Sequence, residues 1–322
     1  MLAGYTMYLP SIWLYVSLPI KFITLLIASC PLIFLYLACA ADPGYITPAN
    51  HAYHMSLYPY DHALFRPGSV CRTCKIQKPP RSKHCSICKR CIAKADHHCV
   101  FINSCVGYGN HHWFLLLLFS TAAMTSYGGL MGLSILGSAL QQKYPKWTMM
   151  PSRYFGDSYT RWFAIWGQGL RGNVPLGSTT LLALLTSPLV WGLSLYTLYQ
   201  VYTGVTTNES LKWTELKEDM EDGYAWQRAL HPNRQRDTRT EPRCDRWPVE
   251  PERVIVATVD GLEPKRKDLP GDGDWTRVRA LRDVETLYDM GFLDNLGDAF
   301  VKDYAFGHGP DEPLAERRRK KR

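Results

Sequence analysis

The sequence predicts an α-helical integral membrane protein carrying a cysteine-rich domain and a partly ordered C-terminal tail, and three observations predict it. Long uncharged runs occupy the first two-thirds of the 322 residues, whereas most of the charge lies in the cysteine cluster and the last third. That asymmetry marks spans with a polar face, not one large soluble core. Residues 71–105 hold seven of the ten cysteines and three of the ten histidines, a density of thiols that no buried core requires. Residues 203–322 are polar and rich in Pro, Asp and Arg, with only short apolar stretches.

Residues 1–21 are apolar but broken by Pro10 and Pro19, and read as an interfacial or incomplete span. Residues 22–41 run twenty positions without a charge, enough to cross a bilayer. Lys21 anchors one end and Asp42-Pro43-Gly44 stops the helix at the other, while Pro31 gives a kink that a membrane bundle tolerates. Residues 42–112 form the cysteine-rich domain, with 45–70 an irregular approach to it. Residues 113–140 are the strongest span, and Gly128, Gly129, Gly132 and Ser134 permit close helix packing there. Residues 141–178 mix Lys143, Lys146, Arg153, Arg161 and Arg171 with aromatics, as an interfacial loop does; 179–202, with Pro188 inside, is the last span. In the tail, 284–300 reads as an amphipathic segment with Leu287, Met290, Leu293, Leu296 and Phe300 at helical spacing. The basic run 317–322 reads as a solvated end with some attraction to a membrane surface.

Positive charge sets the orientation. Nine Lys/Arg lie between Ala41 and Trp113, five lie in 141–178, and many more follow residue 203. The cluster and tail therefore face the cytosol and the middle loop faces the lumen. Reducing cytosol also suits free thiols. No nucleic-acid partner is expected.

A disulfide framework is the other use of so many cysteines. Against it, Cys71/Cys74 and Cys85/Cys88 are CxxC pairs interleaved with histidines, and no signal peptide is readable. Zinc takes four tetrahedral N/S ligands, and a CxxC turn supplies two thiolates from one knuckle. His84, Cys91, His98 and Cys105 remain to complete two Cys₃His sites if the pairings cross over. Neighbours His84 and Cys85 cannot readily serve one ion, but spacing alone leaves the partition open. Two zincs on six thiolates would lower the formal net charge of +8 by roughly 2. His97 and Cys99 are then left over, with Asp96 beside them. A thiol outside a metal shell, next to an imidazole and a carboxylate, is a candidate nucleophile, base and orienter. The bland alternative makes all these positions ligands or fillers of a structural module.

The stretch resembles the DHHC cysteine-rich domain of the protein S-acyltransferases, the palmitoyltransferase family. Asp96-His97-His98-Cys99, both CxxC pairs, Lys78-Pro79 with Arg81, His84-Cys85, Asn103, Cys105, Gly107, Asn110 and Phe114 carry the resemblance. Asp42-Pro43-Gly44 is similar to the family's DPG motif, Thr206-Thr207-Asn208-Glu209 to its TTxE motif, and Tyr288-Asp289-Met290-Gly291 with Asn295 to its C-terminal motif. The resemblance implies one zinc on Cys71, Cys74, His84 and Cys91 and a second on Cys85, Cys88, His98 and Cys105, both structural. It implies Cys99 as the acylated nucleophile, His97 as base and Asp96 as orienter. Palmitoyl-CoA is then the acyl donor, and membrane proteins with juxtamembrane cysteines are the acceptors. Within the family the chain most resembles the fungal branch that acylates SNARE-type proteins in the endoplasmic reticulum, on DPGYITP and SLYPYDHALFRPG. Two residues depart from the family pattern: Phe101 replaces a Trp, keeping aromatic packing without the N–H donor, and Ser104 replaces an Asn. The three spans fall short of the four that the family normally has.

Two classes of function remain in competition. An acyltransferase needs the Asp96/His97/Cys99 set; a non-catalytic zinc scaffold or adaptor would keep its metal without acyl-CoA turnover. A channel or transporter fits poorly, because no span carries an ionisable residue. Thr206 and Thr207 read either as a helix cap beside a solvated Glu209 or as a polar contact holding the last span to the metal domain. Cys30, Cys39 and Cys244 read as packing or incidental thiols.

Overall fold

The computed structural model describes residues 4–150, 159–231, 234–265, 269–284 and 286–306, so the basic run at 317–322 lies outside them. In chain order the elements are α1 (Leu9–Ile12), α2 (Leu18–Ala40), α3 (His51–Ser56), β1 (Lys83–Cys85), β2 (Arg90–Ile92), β3 (His97–Cys99) and β4 (Ser104–Val106). These are followed by α4 (His111–Lys143), α5 (Tyr159–Gly172), α6 (Val174–Tyr202), α7 (Thr207–Glu221), β5 (Ala225–Ala229), β6 (Arg253–Ala257), β7 (Asp272–Arg277) and α8 (Phe292–Phe300). Two compact units result: Met1–Tyr36 with Trp113–Thr197, and Leu37–His112 with Leu198–Arg322.

The first unit is helical. Among the described residues three helices, α2, α4 and α6, are long and apolar enough to cross a membrane. Helix α6 starts five residues before the expected span, because Pro175 suits a first turn and Asn173 Oδ1 accepts from the Leu176 N–H at 3.2 Å. A Cβ on Gly132 would lie 2.0 Å from Thr180 Oγ1, and one on Gly129 2.8 Å from Leu184 Cδ2, so α4 and α6 touch through small residues. Polar links join the same helices: Ser126 bonds Ser187 at 2.8 Å, and Trp191 Nε1 donates to Ser126 Oγ at 2.8 Å. Thr24 of α2 bonds Tyr127 of α4 at 2.9 Å. Gly132→Ala should therefore lower stability in detergent by about 1–3 kcal/mol. A Cβ on Gly128 meets nothing nearer than 4.0 Å, so Gly128→Ala should be neutral or gain up to ~1 kcal/mol from helix propensity. Equal melting shifts for the two variants would contradict the close approach.

Within 141–178, read from sequence as a loop, the described residues include helix α5. Its Ile165 is buried with Leu140 and Trp147, and Trp162 and Trp166 pack beside them. Aromatic and glycine content disguised a short helical face as an interfacial loop.

The second unit is built on hairpins and on a tail folded back over them. β1 pairs β2 with His84 opposite Cys91; β3 pairs β4 with His98 opposite Cys105. A three-stranded antiparallel sheet, order β6-β5-β7, comes from the tail. Trp213, Leu216 and Met220 of α7 pack on its Ala225 and Ile255 with Val278. The tail also supplies Cys244, Trp247, Val249, Tyr288 and Met290 to the core that holds Ile46, Met55, Tyr58 and Phe65. Where 284–300 reads as one amphipathic segment, the helix begins only at Phe292. Gly291 at φ 93° ends the preceding turn, and its N–H donates to Asp289 Oδ1 at 2.9 Å.

Candidate metal centres and thiol site

The eight Cys and His side chains gather into two sets, Cys71, Cys74, His84, Cys91 and Cys85, Cys88, His98, Cys105, with the donor atoms of each set within 4.8 Å of one another. His84 Nδ1 lies 3.5, 3.3 and 3.8 Å from the sulfurs of Cys71, Cys74 and Cys91. His98 Nδ1 lies 3.7, 3.3 and 3.6 Å from those of Cys85, Cys88 and Cys105, and the last two sulfurs are 3.6 Å apart. A tetrahedral zinc at ordinary Zn–S and Zn–N lengths separates its ligand atoms by roughly 3.6–3.8 Å. Both sets fit.

The two sets are one device repeated. Every member of the first has its counterpart fourteen positions on: Cys71 and Cys85, Cys74 and Cys88, His84 and His98, Cys91 and Cys105. In each knuckle the fourth residue's N–H donates to the first sulfur at 3.4 Å, and the residue after it is left-handed, Lys75 at φ 57° and Lys89 at φ 55°. Fourteen positions further stands a third copy. Cys99 receives hydrogen bonds from the N–H groups of Phe101 and Ile102, and Asn103 is left-handed at φ 48°. Ile102 occupies the place of the second cysteine, so this knuckle has one sulfur and no metal set.

Cys99, at the end of β3, is buried and hydrogen-bonded to His97. His97 Nδ1–H donates to Asp96 Oδ2 at 2.6 Å, which leaves the other ring nitrogen to the thiol. Burial alone would push the thiol up; the His97 bond and the two backbone N–H groups outweigh it and lower it. Burial would also lower His97, but its bonds to Asp96 and Cys99 raise it to about 9. Burial would raise Asp96, yet the His97 and Thr207 hydrogen bonds hold it below the usual carboxylate range. Val100 and Phe101, the two residues after Cys99, are exposed. Phe101 is 89% exposed, so the aromatic packing expected at that position does not form.

The N-terminus of α7 grips the same carboxylate. Thr207 N–H donates to Asp96 Oδ1 at 2.6 Å and its hydroxyl to Oδ2 at 3.0 Å, an anion at a helix N-terminus. Thr206 and Glu209 form a reciprocal capping box, and Thr206 Oγ1 also donates to the Ala95 carbonyl at 3.1 Å. Thr206 thus caps the helix and Thr206 and Thr207 both bond the metal-domain segment, but Glu209 is not solvated: it is 1% exposed. Arg81 Nε and one terminal nitrogen donate to its two oxygens at 2.7 and 2.6 Å. The guanidinium lies over the rings of Tyr58 and Tyr288, at 5.1 and 4.4 Å.

The other motif residues are brackets rather than reacting groups. Asp42 Oδ1 accepts from the Gly44 and Tyr45 N–H groups, Pro43 O accepts from Gly109, and Gly44 stands at φ 99°. Asn295 is buried; its amide donates to Tyr202 O and Asp289 Oδ1, and its oxygen accepts from Met290 N–H. Sequence reasoning missed the ion cluster behind them. Lys94 Nζ donates to Asp298 at 2.7 Å, Arg246 bonds the same carboxylate, and Tyr58 OH donates to it at 2.9 Å. Polar residues in a tail that reads as partly ordered carry no sequence signal that they are buried 204 positions from a partner. Cys244 is likewise buried and donates to Ser56 O, while Cys30 is half-buried and Cys39 exposed.

The family model described as DHHC palmitoyltransferase matches residues 65–214. Palmitoyltransferase SWF1 of Neurospora crassa is 48% identical over 313 residues, covering 94% of this chain and 73% of its own length. Its counterpart in Aspergillus fumigatus is 38% identical, covering 93% and 83%. Palmitoyltransferase ZDHHC4 of Rattus norvegicus is 32% identical, covering 82% and 68%.

Proposed function

The chain belongs to the DHHC palmitoyltransferase family and is a protein-cysteine S-palmitoyltransferase; from that premise we propose that Cys99 carries the acyl group between a long-chain acyl-CoA and the cysteine of a membrane protein. One observation carries this reading: the Cys99 thiol is bonded to His97, whose Nδ1–H is held at 2.6 Å by a buried Asp96. In the first step His97 takes the thiol proton, the thiolate attacks the thioester carbonyl, and a tetrahedral intermediate collapses with loss of CoA thiolate. The imidazolium returns the proton to that leaving sulfur. In the second step His97 deprotonates the acceptor cysteine, which displaces Cys99 from the acyl-enzyme. Thioester bonds are broken and made in equal number, so positioning is the main task. Asp96, clamped by Thr207, fixes the His97 tautomer and offsets the imidazolium charge.

The two Cys₃His sets would hold zinc as structural ions, with no part in either step. The acyl chain needs an apolar site, and the helical unit has a cavity of about 360 Å³ lined by Tyr8, Ile27, Met124, Tyr127, Leu182 and Val190 among others. The positive-charge count favours the cytosolic side for the thiol, and the likeness of DPGYITP and SLYPYDHALFRPG to the fungal SNARE-acylating branch favours SNARE-type substrates and the endoplasmic reticulum. Incubating the full chain with alkyne palmitoyl-CoA and mapping the adduct by mass spectrometry should find a hydroxylamine-labile thioester on Cys99. None should form in Cys99→Ser, with the zinc content of that variant unchanged. A labile adduct at the same segment in Cys99→Ser, or on another cysteine only, would refute the assignment.

A further inference from the structure

Helix α8 has its polar side turned inward and its apolar side outward. Asn295 and Asp298 are buried, and Asp294 is half-buried with Tyr304 OH donating to it at 3.0 Å. The exposed residues of the helix are Phe292, Leu293 and Phe300, and Val301 follows them; Leu293 is 77% exposed. Helical spacing alone groups Leu293 and Phe300 with Met290, yet only Met290 enters the core. A helix that faces water presents the opposite pattern.

Its neighbours say what covers that face. The Phe292 ring sits 6.0 Å from Tyr202, the last residue of α6, and Phe300 sits 6.2 Å from His112, in the first turn of α4. Asn295 donates to the Tyr202 carbonyl at 3.0 Å. Helix α8 is thus tied to the ends of two helices that are built to cross a bilayer. A membrane surface has to pass at the level of those ends, where aromatic residues concentrate.

We infer that α8 is an interfacial helix whose face of Phe292, Leu293, Phe300 and Val301 beds in phospholipid, at the headgroup–acyl boundary of the leaflet where α4 begins and α6 ends. Its inner face presents Asp298 to Lys94 and Arg246, so the buried Lys94–Asp298 pair joins the lipid-facing helix to the strand-bearing segment that carries Cys99.

The test uses the full chain in phosphatidylcholine nanodiscs, with an environment-sensitive fluorescent amino acid installed at Leu293 or, as the aqueous reference, at fully exposed Val259. The probe at 293 should emit to the blue of that at 259, resist iodide, and be quenched roughly twofold by lipids brominated near the headgroup. The probe at 259 should respond to iodide alone. Iodide quenching at 293 equal to that at 259 would put the face in water. Shielding from iodide with no response to brominated lipid would mean that protein covers it, as in a self-associated pair. Either result overturns the inference. Metal content reports folding of each labelled protein, and if the probe at 293 disturbs it, Val301, 53% exposed, takes the probe.

Discussion

Cys71→Ser should reduce the metal content from two zincs to one and open the β1–β2 hairpin to hydrogen exchange, while the remaining ion becomes easier to strip with a chelator. Each of these strands is three residues long, too short to hold a hairpin without support. What supports it is ligation: His84 on β1 faces Cys91 on β2, and both belong to the first set. The hairpin's own cluster is small, Ile92, Ala95 and Cys105 with Tyr45, Cys85 and Cys88, although Cys91 also reaches the core of Ile46, Met55 and Tyr58. Zinc in comparable peptides contributes about 10–16 kcal/mol of apparent binding free energy that is also folding free energy, far more than such a cluster can supply. The interlock explains the effect on the second ion. Cys85 closes β1 and Cys88 sits in the β1–β2 turn, so the second set's knuckle is the tip of the hairpin that the first set staples. Metal analysis after gel filtration, with hydrogen exchange over 83–106, makes the check. Two zincs retained in Cys71→Ser, or a hairpin equally protected without the first ion, would show that the sets are independent of the fold.

That interlock also shows how much was legible in the sequence and where legibility stopped. Ligand chemistry is local and stoichiometric, so CxxC pairs with nearby histidines announce a metal centre before any fold is known. The three spans were legible for a similar reason, since uncharged length is a property of contiguous residues. The third knuckle is written in the fourteen-residue spacing of Cys71, Cys85 and Cys99. Its consequence, backbone N–H groups of Phe101 and Ile102 aimed at the Cys99 sulfur, appears only when the left-handed turn is seen. Phe101 was misjudged because aromatic character says nothing about which side of a turn a ring leaves from. The tail was the least legible part. Its sheet pairs Ala225–Ala229 with strands up to about fifty residues away, and the residues that bury it, Arg246, Asp298 and Lys94, are of types that normally mark solvent.

Glu209→Ala should destabilise the full chain by about 3–5 kcal/mol and slow acyl transfer, with both zincs retained. Glu209 is 1% exposed and Arg81 2%, and removing one member leaves the guanidinium uncompensated between Tyr58 and Tyr288. Loss of the carboxylate also removes the acceptor of the Thr206 N–H, at 3.0 Å, and so loosens the turn whose next residue holds Asp96. Glu209→Gln keeps one acceptor oxygen and should fall between. The paired replacement Arg81→Met with Glu209→Met should be less damaging than either single change, because a buried ion pair exchanged for apolar groups costs less than one half-removed. Denaturant melts in detergent give the stability, and single-turnover acylation of Cys99 gives the rate. Should the double variant recover stability but not rate, the pair acts on chemistry by placing the first turn of α7 against Asp96. Recovery of both would leave it as packing alone. Additive losses in the two singles would mean that Arg81 and Glu209 do not act as a pair, despite the bidentate bond.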